Sequence, residues 1–339
     1  MKLSHFSIGT AALCLASFAL APRAQSAELT LSQEGWSSWQ IGAVDQAPDW
    51  CCWSDGINFR DAARMSCRLD ASSQSFGSRD HATSDTVRVY AHSAGGKIDR
   101  LRVLSTTCPV ETATPIHDLG RVADDDSARW LLNLAGRRDG GVNTSRRDDD
   151  EVVAALAALA VNRGDVARDG LAGIARNDTR VETRKQAVFW MAQMRGREGA
   201  DITSSIMFTD KDAEVREHAA FSLAQSESPR ATADLIRLGN TDRDAEVRAQ
   251  AWFWLAHTAA PETESAIFTA LSKETDAEVR ERAILALSRL PDERAAKALL
   301  TIAEDRSQSR ELRKRAVFWL SQSDSDTALT YLEQVLTAN

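Results

Sequence analysis

Apolar and polar positions between residues 181 and 320 repeat as a stencil, Glu-(Val/Leu/Thr)-Arg-x-x-Ala-x-x-x-(Leu/Met). Its arginines, Arg184, Arg216, Arg248, Arg280 and Arg313, recur at an almost constant interval of about 32 residues, within the range of helical repeat units. Taking the Val, Leu or Thr as position 0 and the usual turn of about 100° per residue, positions 0, +4, +7 and +8 form one apolar arc of a helix. Amphipathic stretches at 202–208, 231–238, 262–272 and 293–303 precede four of the stencils and supply a partner helix for each. A degenerate pair, 127–136 with 149–161, has Val153 at the arginine position, and 164–176 is the first helix of the unit that contains Arg184. The stretch 326–336 has no stencil after it and is expected to cap the array. A period of this size predicts an α-solenoid of about six helix pairs, whose units bury their apolar faces only by stacking.

The stencil resembles the second helix of a HEAT repeat, in the short form also found in phycobilisome-lyase-type proteins, whose pattern is Asp-x-x-x-x-Val-Arg-x-x-Ala-x-x-x-Leu. The resemblance implies a mainly α fold, an armadillo-like superhelix whose second helices line the inner surface. It also implies a structural ladder in which the five arginines reach acids of the same or the adjacent repeat. Asp210 or Asp212 lies near Arg216 in sequence, Asp242 or Asp244 near Arg248, and Asp276 near Arg280.

Position +7 alternates in size, Trp190, Ser222, Trp254, Ala286, Trp319, as expected of interdigitating core layers. Position +6 winds away from the apolar arc yet holds Phe189, Phe221, Phe253, Leu285 and Phe318. With Trp252 beside them, these side chains are expected to form an apolar stripe on the concave face. Exposed apolar surface with aromatic anchors marks a contact site, whereas tight stacking of second helices would bury the rings.

Residues 28–120 differ in character. They hold Cys51, Cys52, Cys67 and Cys108, together with Trp36, Trp39, Trp50 and Trp53. Thr86-Val87-Arg88-Val89-Tyr90 and Ile98-Asp99-Arg100-Leu101-Arg102-Val103-Leu104 alternate around Gly95-Gly96, which predicts a hairpin and a small β-rich domain docked on the first helices. An even cysteine count predicts two disulfides, with three possible pairings; in an extended segment Cys51 and Cys52 point to opposite faces, one toward Cys67 and the other toward Cys108. Paired Cys-x-x-Cys motifs are missing, so no metal is expected. A thiol-redox pair at Cys51 and Cys52 is the alternative chemistry, but the flanking Asp49, Trp50 and Trp53 offer no cation to lower a thiol pKa. Cys51-Cys52-Trp53, Cys67 and Ser105-Thr106-Thr107-Cys108-Pro109 resemble a set of exported bacterial HEAT-repeat proteins of unassigned activity. That likeness implies export and domain order, and no chemistry.

Lys2, an apolar run at 8–20 and small residues at 24–27 read as a cleavable secretory leader, residues 1–27, cut after Ser26 or Ala27. The expected location is periplasmic or secreted, with no later span. The chain carries 41 basic and 49 acidic residues; removing Lys2 and Arg23 leaves 39 against 49. This acidic balance excludes nucleic acid as an expected partner. The Arg-Arg pairs at 137–138 and 146–147 sit beside Asp139 and Asp148–Asp150 and read as a solvated loop.

No catalytic residues are expected: His81, His92, His117, His218 and His257 lack metal spacing, and no nucleophile motif or phosphate loop accompanies them. No cofactor is expected either. The sequence therefore predicts a β-rich unit (28–120) and a solenoid (121–339) acting as a non-enzymatic scaffold that binds another envelope protein or peptide in its concave groove. The alternatives are the Cys51/Cys52 redox protein and a lyase-like HEAT enzyme.

Overall fold

The computed structural model describes residues 29–31, 33–53, 64–71, 76–77, 83–136 and 146–337. The leader expected at 1–27, His81 and the arginine pair at 137–138 lie outside the described residues. Among the described residues nine strands come first: β1 (Gly35–Gly42), β2 (Cys51–Trp53), β3 (Arg64–Met65), β4 (Cys67–Arg68), β5 (Phe76–Gly77), β6 (Thr86–Ala94), β7 (Lys97–Ser105), β8 (Val110–Glu111) and β9 (Ile116–Arg121). The main sheet runs β7-β6-β1-β9, with β1 antiparallel to β6 and parallel to β9.

The predicted hairpin is β6–β7. Gly95 and Gly96 turn it at φ of +60° and +76°, the left-handed pair that a two-residue type I′ turn requires. Their amides donate to the Glu34 carboxylate at 3.0 and 3.1 Å.

Strand alternation gives this sheet two buried faces. Trp36 and Tyr90 point into a cluster with Cys51, Cys52, Cys67, Leu69, Leu104 and Cys108. Trp39, Ile41, Val87, Val89 and Ala91 point the other way, into a core shared with the helices. The disulfides are Cys51–Cys108 and Cys52–Cys67, and all four cysteines are buried. Adjacent cysteines thus go to different partners, and no bond joins Cys51 to Cys52. The sulfurs of Cys67 and Cys108 touch at 3.5 Å, so the two cystines form one packed unit.

Thirteen helices follow among the described residues. They pair as α1 (Asp124–Ala135) with α2 (Arg146–Val161), α3 (Asp165–Asn177) with α4 (Val181–Met194), and α5 (Gly196–Thr209) with α6 (Ala213–Ala224). The pairs continue as α7 (Ala231–Thr241) with α8 (Ala245–His257), α9 (Thr263–Leu271) with α10 (Ala277–Leu287), and α11 (Asp292–Glu304) with α12 (Arg310–Leu320). Helix α13 (Asp326–Thr337) packs on α11. Arg146 and Arg147, expected in a loop, open α2 instead. Several second helices begin where a side chain satisfies free amides: Asp244 accepts from Glu246 and Val247, Asp276 from Glu278 and Val279, and Ser309 from Leu312.

Along the middle of the array, from α3 to α10, successive second helices pack closely whereas successive first helices barely meet; at the ends α1 packs on α3 and α11 on α13. The second-helix layer is therefore the inner, concave one. The sheet is fastened to the start of the array: Trp39 Nε1 donates to Ser127 Oγ at 2.8 Å, and the Gly42 amide to Asp124 Oδ1 at 2.8 Å.

Candidate binding groove

Positions 0, +4, +5 and +8 of the second helices form the buried arc. Helical winding places all four within less than half a turn of one another, on the side that faces the first helix. Position +5 was absent from the arc read in the sequence, and it decides the fate of Trp252. Trp252 is 0% exposed and belongs to the core, not to the stripe. Gly239 of α7 makes room for it: a Cβ at Gly239 would lie 2.5 Å from the indole.

The +6 residues Phe189, Phe221, Phe253 and Leu285 are half-buried, and Phe318 is 48% exposed. Position +7 splits by size. Ser222 and Ala286 are buried, while Trp190, Trp254 and Trp319 are too large for that boundary site and remain partly exposed. The alternation read as core interdigitation thus also brings indoles to the edge of the inner face.

Together these rings form a continuous run. Trp50, from the N-terminal unit, meets Trp190 edge-on at 5.7 Å between centroids. Trp190 meets Phe189 at 5.3 Å, and Phe189 stacks on Phe221 at 6.0 Å and 7°. Phe221 leans on Trp254 at 4.8 Å, and Trp254 meets Phe253 edge-on at 5.0 Å. These are the offset and edge-to-face arrangements that aromatic quadrupoles favour. Leu285 and Ala286 interrupt the run on α10, and Phe318 and Trp319 resume it as a separate pair at 5.1 Å.

Two histidines without an assigned role in the sequence join the run. His218 lies 5.4 Å from Phe221 and 6.4 Å from Phe189, and His257 lies 4.4 Å from Phe253. Burial, reinforced by Lys185, pushes the His218 imidazole below its ordinary value, and its Nε2 is buried without a hydrogen-bond partner among the described residues. One turn below Phe221, Glu217 is half-buried. Burial first, then the charge of Glu246, pushes its carboxyl up. The signal for these residues was their register: +3 and +10 for the histidines and +2 for Glu217 flank +6 on the helix.

The arginine ladder runs between repeats. Arg184 binds Asp210 through Nε and Nη2 at 3.0 and 3.2 Å and also reaches Asp212; Arg216 binds Asp242 at 2.8 and 2.9 Å; Arg248 binds Glu274 at 2.8 and 3.2 Å. Asp210, Asp242 and Glu274 each lie 26 residues after the arginine they bind. The acids before Arg216 and Arg248 in sequence, expected as side-chain partners, instead offer backbone carbonyls, Asp210 to Arg216 and Asp242 to Arg248. At Arg280 the partner is Gln308 at 2.9 Å rather than Asp276, and Arg313 donates to the Gln308 carbonyl at 2.7 Å.

A family model described as HEAT repeats matches residues 168–252 and 238–310. No curated protein matches the chain. Among solved structures it is similar to human deoxyhypusine hydroxylase in complex with glycerol, at 16% identity and TM-score 0.33 over 61% of this chain and 77% of that one. It is also similar to the CpcE–CpcF complex of phycocyanin lyase from Nostoc sp. PCC7120, at 20% identity and TM-score 0.35 over 47% and 97%. A computationally designed self-assembling cyclic homooligomer matches at 16% identity and TM-score 0.18 over 59% and 81%. The chain is thus built as a HEAT-repeat α-solenoid with a small disulfide-stabilised β unit at its N-terminal end.

Proposed function

We propose that this protein is a non-enzymatic scaffold of the bacterial envelope, periplasmic or secreted, that holds a segment of another protein in the concave groove. The observation that carries the reading is the aromatic run on the inner face, from Trp50 through Trp190, Phe189, Phe221 and Trp254 to Phe253. Half-buried rings are already fixed by their neighbours and lose little freedom on binding, while their exposed edges keep apolar surface to bury. Export is supported by the leader-like pattern at 1–27 and by two cystines, which persist in oxidising compartments. Among the described residues no helix is long and apolar enough to cross a membrane.

The test is a pull-down from periplasm with the wild-type chain and with a Phe221→Ser, Phe253→Ser, Phe318→Ser variant first shown by circular dichroism to be folded. Loss of a specific partner from the variant is the expected result. Equal capture by both proteins overturns the groove as the binding surface.

A further inference from the structure

We propose that the groove receives a polypeptide segment in which a basic side chain is flanked by apolar ones, the cation seating at Glu217 and the apolar groups on Phe221, Phe253 and Trp254. This rests on the groove reading above and specifies its ligand.

Glu217 and Phe221 are four residues apart on α6 and share one helix face. Other carboxylates of the inner face are matched: Glu182 with Lys185, Glu246 and Glu278 with Arg282, and Glu281 with Arg315. Glu217 has no hydrogen bond or ion pair among the described residues, although it is half-buried. Glu246 acts on it as the strongest like charge and Glu214 adds to it, while Lys185 and Arg282 oppose them without forming an ion pair with Glu217. Beside it, His218 is held toward its neutral form and supplies no countercharge.

The surrounding surface is acidic in sum: Lys185 and Arg282 each serve two glutamates, so carboxylates outnumber the cations that pair with them. The first-turn glutamates Glu182, Glu214, Glu246, Glu278 and Glu311 recur with the repeat, and their side chains are 43% to 75% exposed. One border of the aromatic run is therefore a row in which five glutamates face three cations, Lys185, Arg282 and Lys314, a net negative edge. An acidic segment laid here would set carboxylates against carboxylates. A purely apolar one would finish desolvating Glu217 with no countercharge, at a cost that an incoming cation removes. A cation beside these rings also gains from their negative faces.

Size selects polypeptide over a small cation. The run crosses α4, α6 and α8, roughly 20 Å at the usual 8–10 Å between helix axes. That is the length of about six extended residues.

Three fluorescent peptides of equal length test the inference with the full chain: one alternating Lys and Phe, one with Glu for Lys, and one with Ser for Phe. Fluorescence anisotropy at low and high salt is read for wild type, Glu217→Gln and Phe221→Ser/Phe253→Ser. The Lys–Phe peptide is expected to bind more tightly than the other two and to weaken with salt. Glu217→Gln is expected to weaken it about fivefold, the scale of a partly exposed ion pair. This substitution removes charge repulsion, so loss of folding does not confound it. Equal binding of the Glu–Phe peptide, or no effect of Glu217→Gln, overturns the cation inference. If both Phe peptides bind and the Phe221→Ser/Phe253→Ser variant binds neither, the groove stands and only the charge assignment falls. If no Phe peptide exceeds the Ser control, the groove reading falls with it.

Discussion

Arg216 grips the carboxylate of Asp242 through two parallel hydrogen bonds, and neither side chain is more than 5% exposed. The pair ties α6 to the turn that precedes α8. Bidentate geometry satisfies both buried charges at once, so removing one member strands the other. Asp242→Ala is expected to cost about 3–5 kcal/mol. Arg216→Met combined with Asp242→Leu is expected to cost less than Asp242→Ala alone. Urea denaturation followed by circular dichroism ranks the two variants, and hydrogen exchange should show protection lost in α6 and α8 together, because repeats are stabilised by their neighbours.

Gly239 is required by Trp252. Alanine favours a helix over glycine by up to about 1 kcal/mol, but here its methyl would lie 2.5 to 2.9 Å from indole atoms that are fully buried. Gly239→Ala is therefore expected to destabilise by about 1–3 kcal/mol. Adding Trp252→Leu should relieve the clash, so that Gly239→Ala costs less in that background. Thermal melts of the four proteins complete the cycle.

Acid should unfold the protein in two stages. His218 has a folded pKa below its ordinary 6.5 because burial, then Lys185, disfavours the imidazolium. The folded state binds this proton less readily than the unfolded chain, so stability is full above 6.5 and falls as the pH drops below it toward the folded value. At Asp242 and Glu274 burial is the largest influence and acts upward, but the hydrogen bonds from Arg216 and Arg248, the backbone amides of Asp244 and Asp276 and the arginine charges together outweigh it and hold the carboxyls below 3.8 and 4.5. Their contribution is present above those values and is lost as the pH falls through the folded ones. Urea midpoints measured against pH should show both steps, and His218→Gln should erase only the upper one.

Glu217 has the opposite sign. Its carboxyl is raised above 4.5 by burial and by Glu246, so the folded state prefers the protonated form, and stability is lost as the pH rises from 4.5 to the folded value. Glu217→Gln is expected to raise the melting temperature at neutral pH while weakening capture of a cationic peptide, a local trade of stability for binding.

The two touching cystines pin β2 to the sheet end of the molecule. Reduction is expected to destabilise the N-terminal unit by about 2–5 kcal/mol per bridge. Thiol titration of the native protein without reductant should find no reactive thiol at Cys51, Cys52, Cys67 or Cys108; a free, reactive pair at Cys51 and Cys52 would revive the redox reading.

The helix pairs were legible because a solenoid unit is local: partner helices are neighbours in the chain, and the helical period marks the side that each buries. Ladder partners were less legible. Asp210 lies six residues before Arg216 and looks close in sequence, yet the side chain it binds is Arg184, 26 residues back. Stacking of whole repeats, which sequence distance does not encode, sets that pairing. Trp252 was misplaced for a similar reason: its position lies on the margin of the arc, and the space that claims it belongs to Gly239 on another helix. In the N-terminal unit the hairpin, the β-rich character and the separate partners of Cys51 and Cys52 were visible. The parallel β1–β9 pairing and the choice among cysteine partners depend on contacts between distant segments.

The ladder weakens along its length. It is buried and bidentate at Arg184 and Arg216, partly exposed at Arg248, a single hydrogen bond to the uncharged Gln308 at Arg280, and a backbone contact alone at Arg313. A coil fastened this way has uneven stiffness. Its first turns, bolted to the sheet through Trp39 and Asp124, are expected to be the stiffest, and they carry the longest row of rings. The turns after Leu285, tied by fewer and weaker ladder bonds, are expected to be the compliant arm of the coil, and Phe318 and Trp319 sit on that arm.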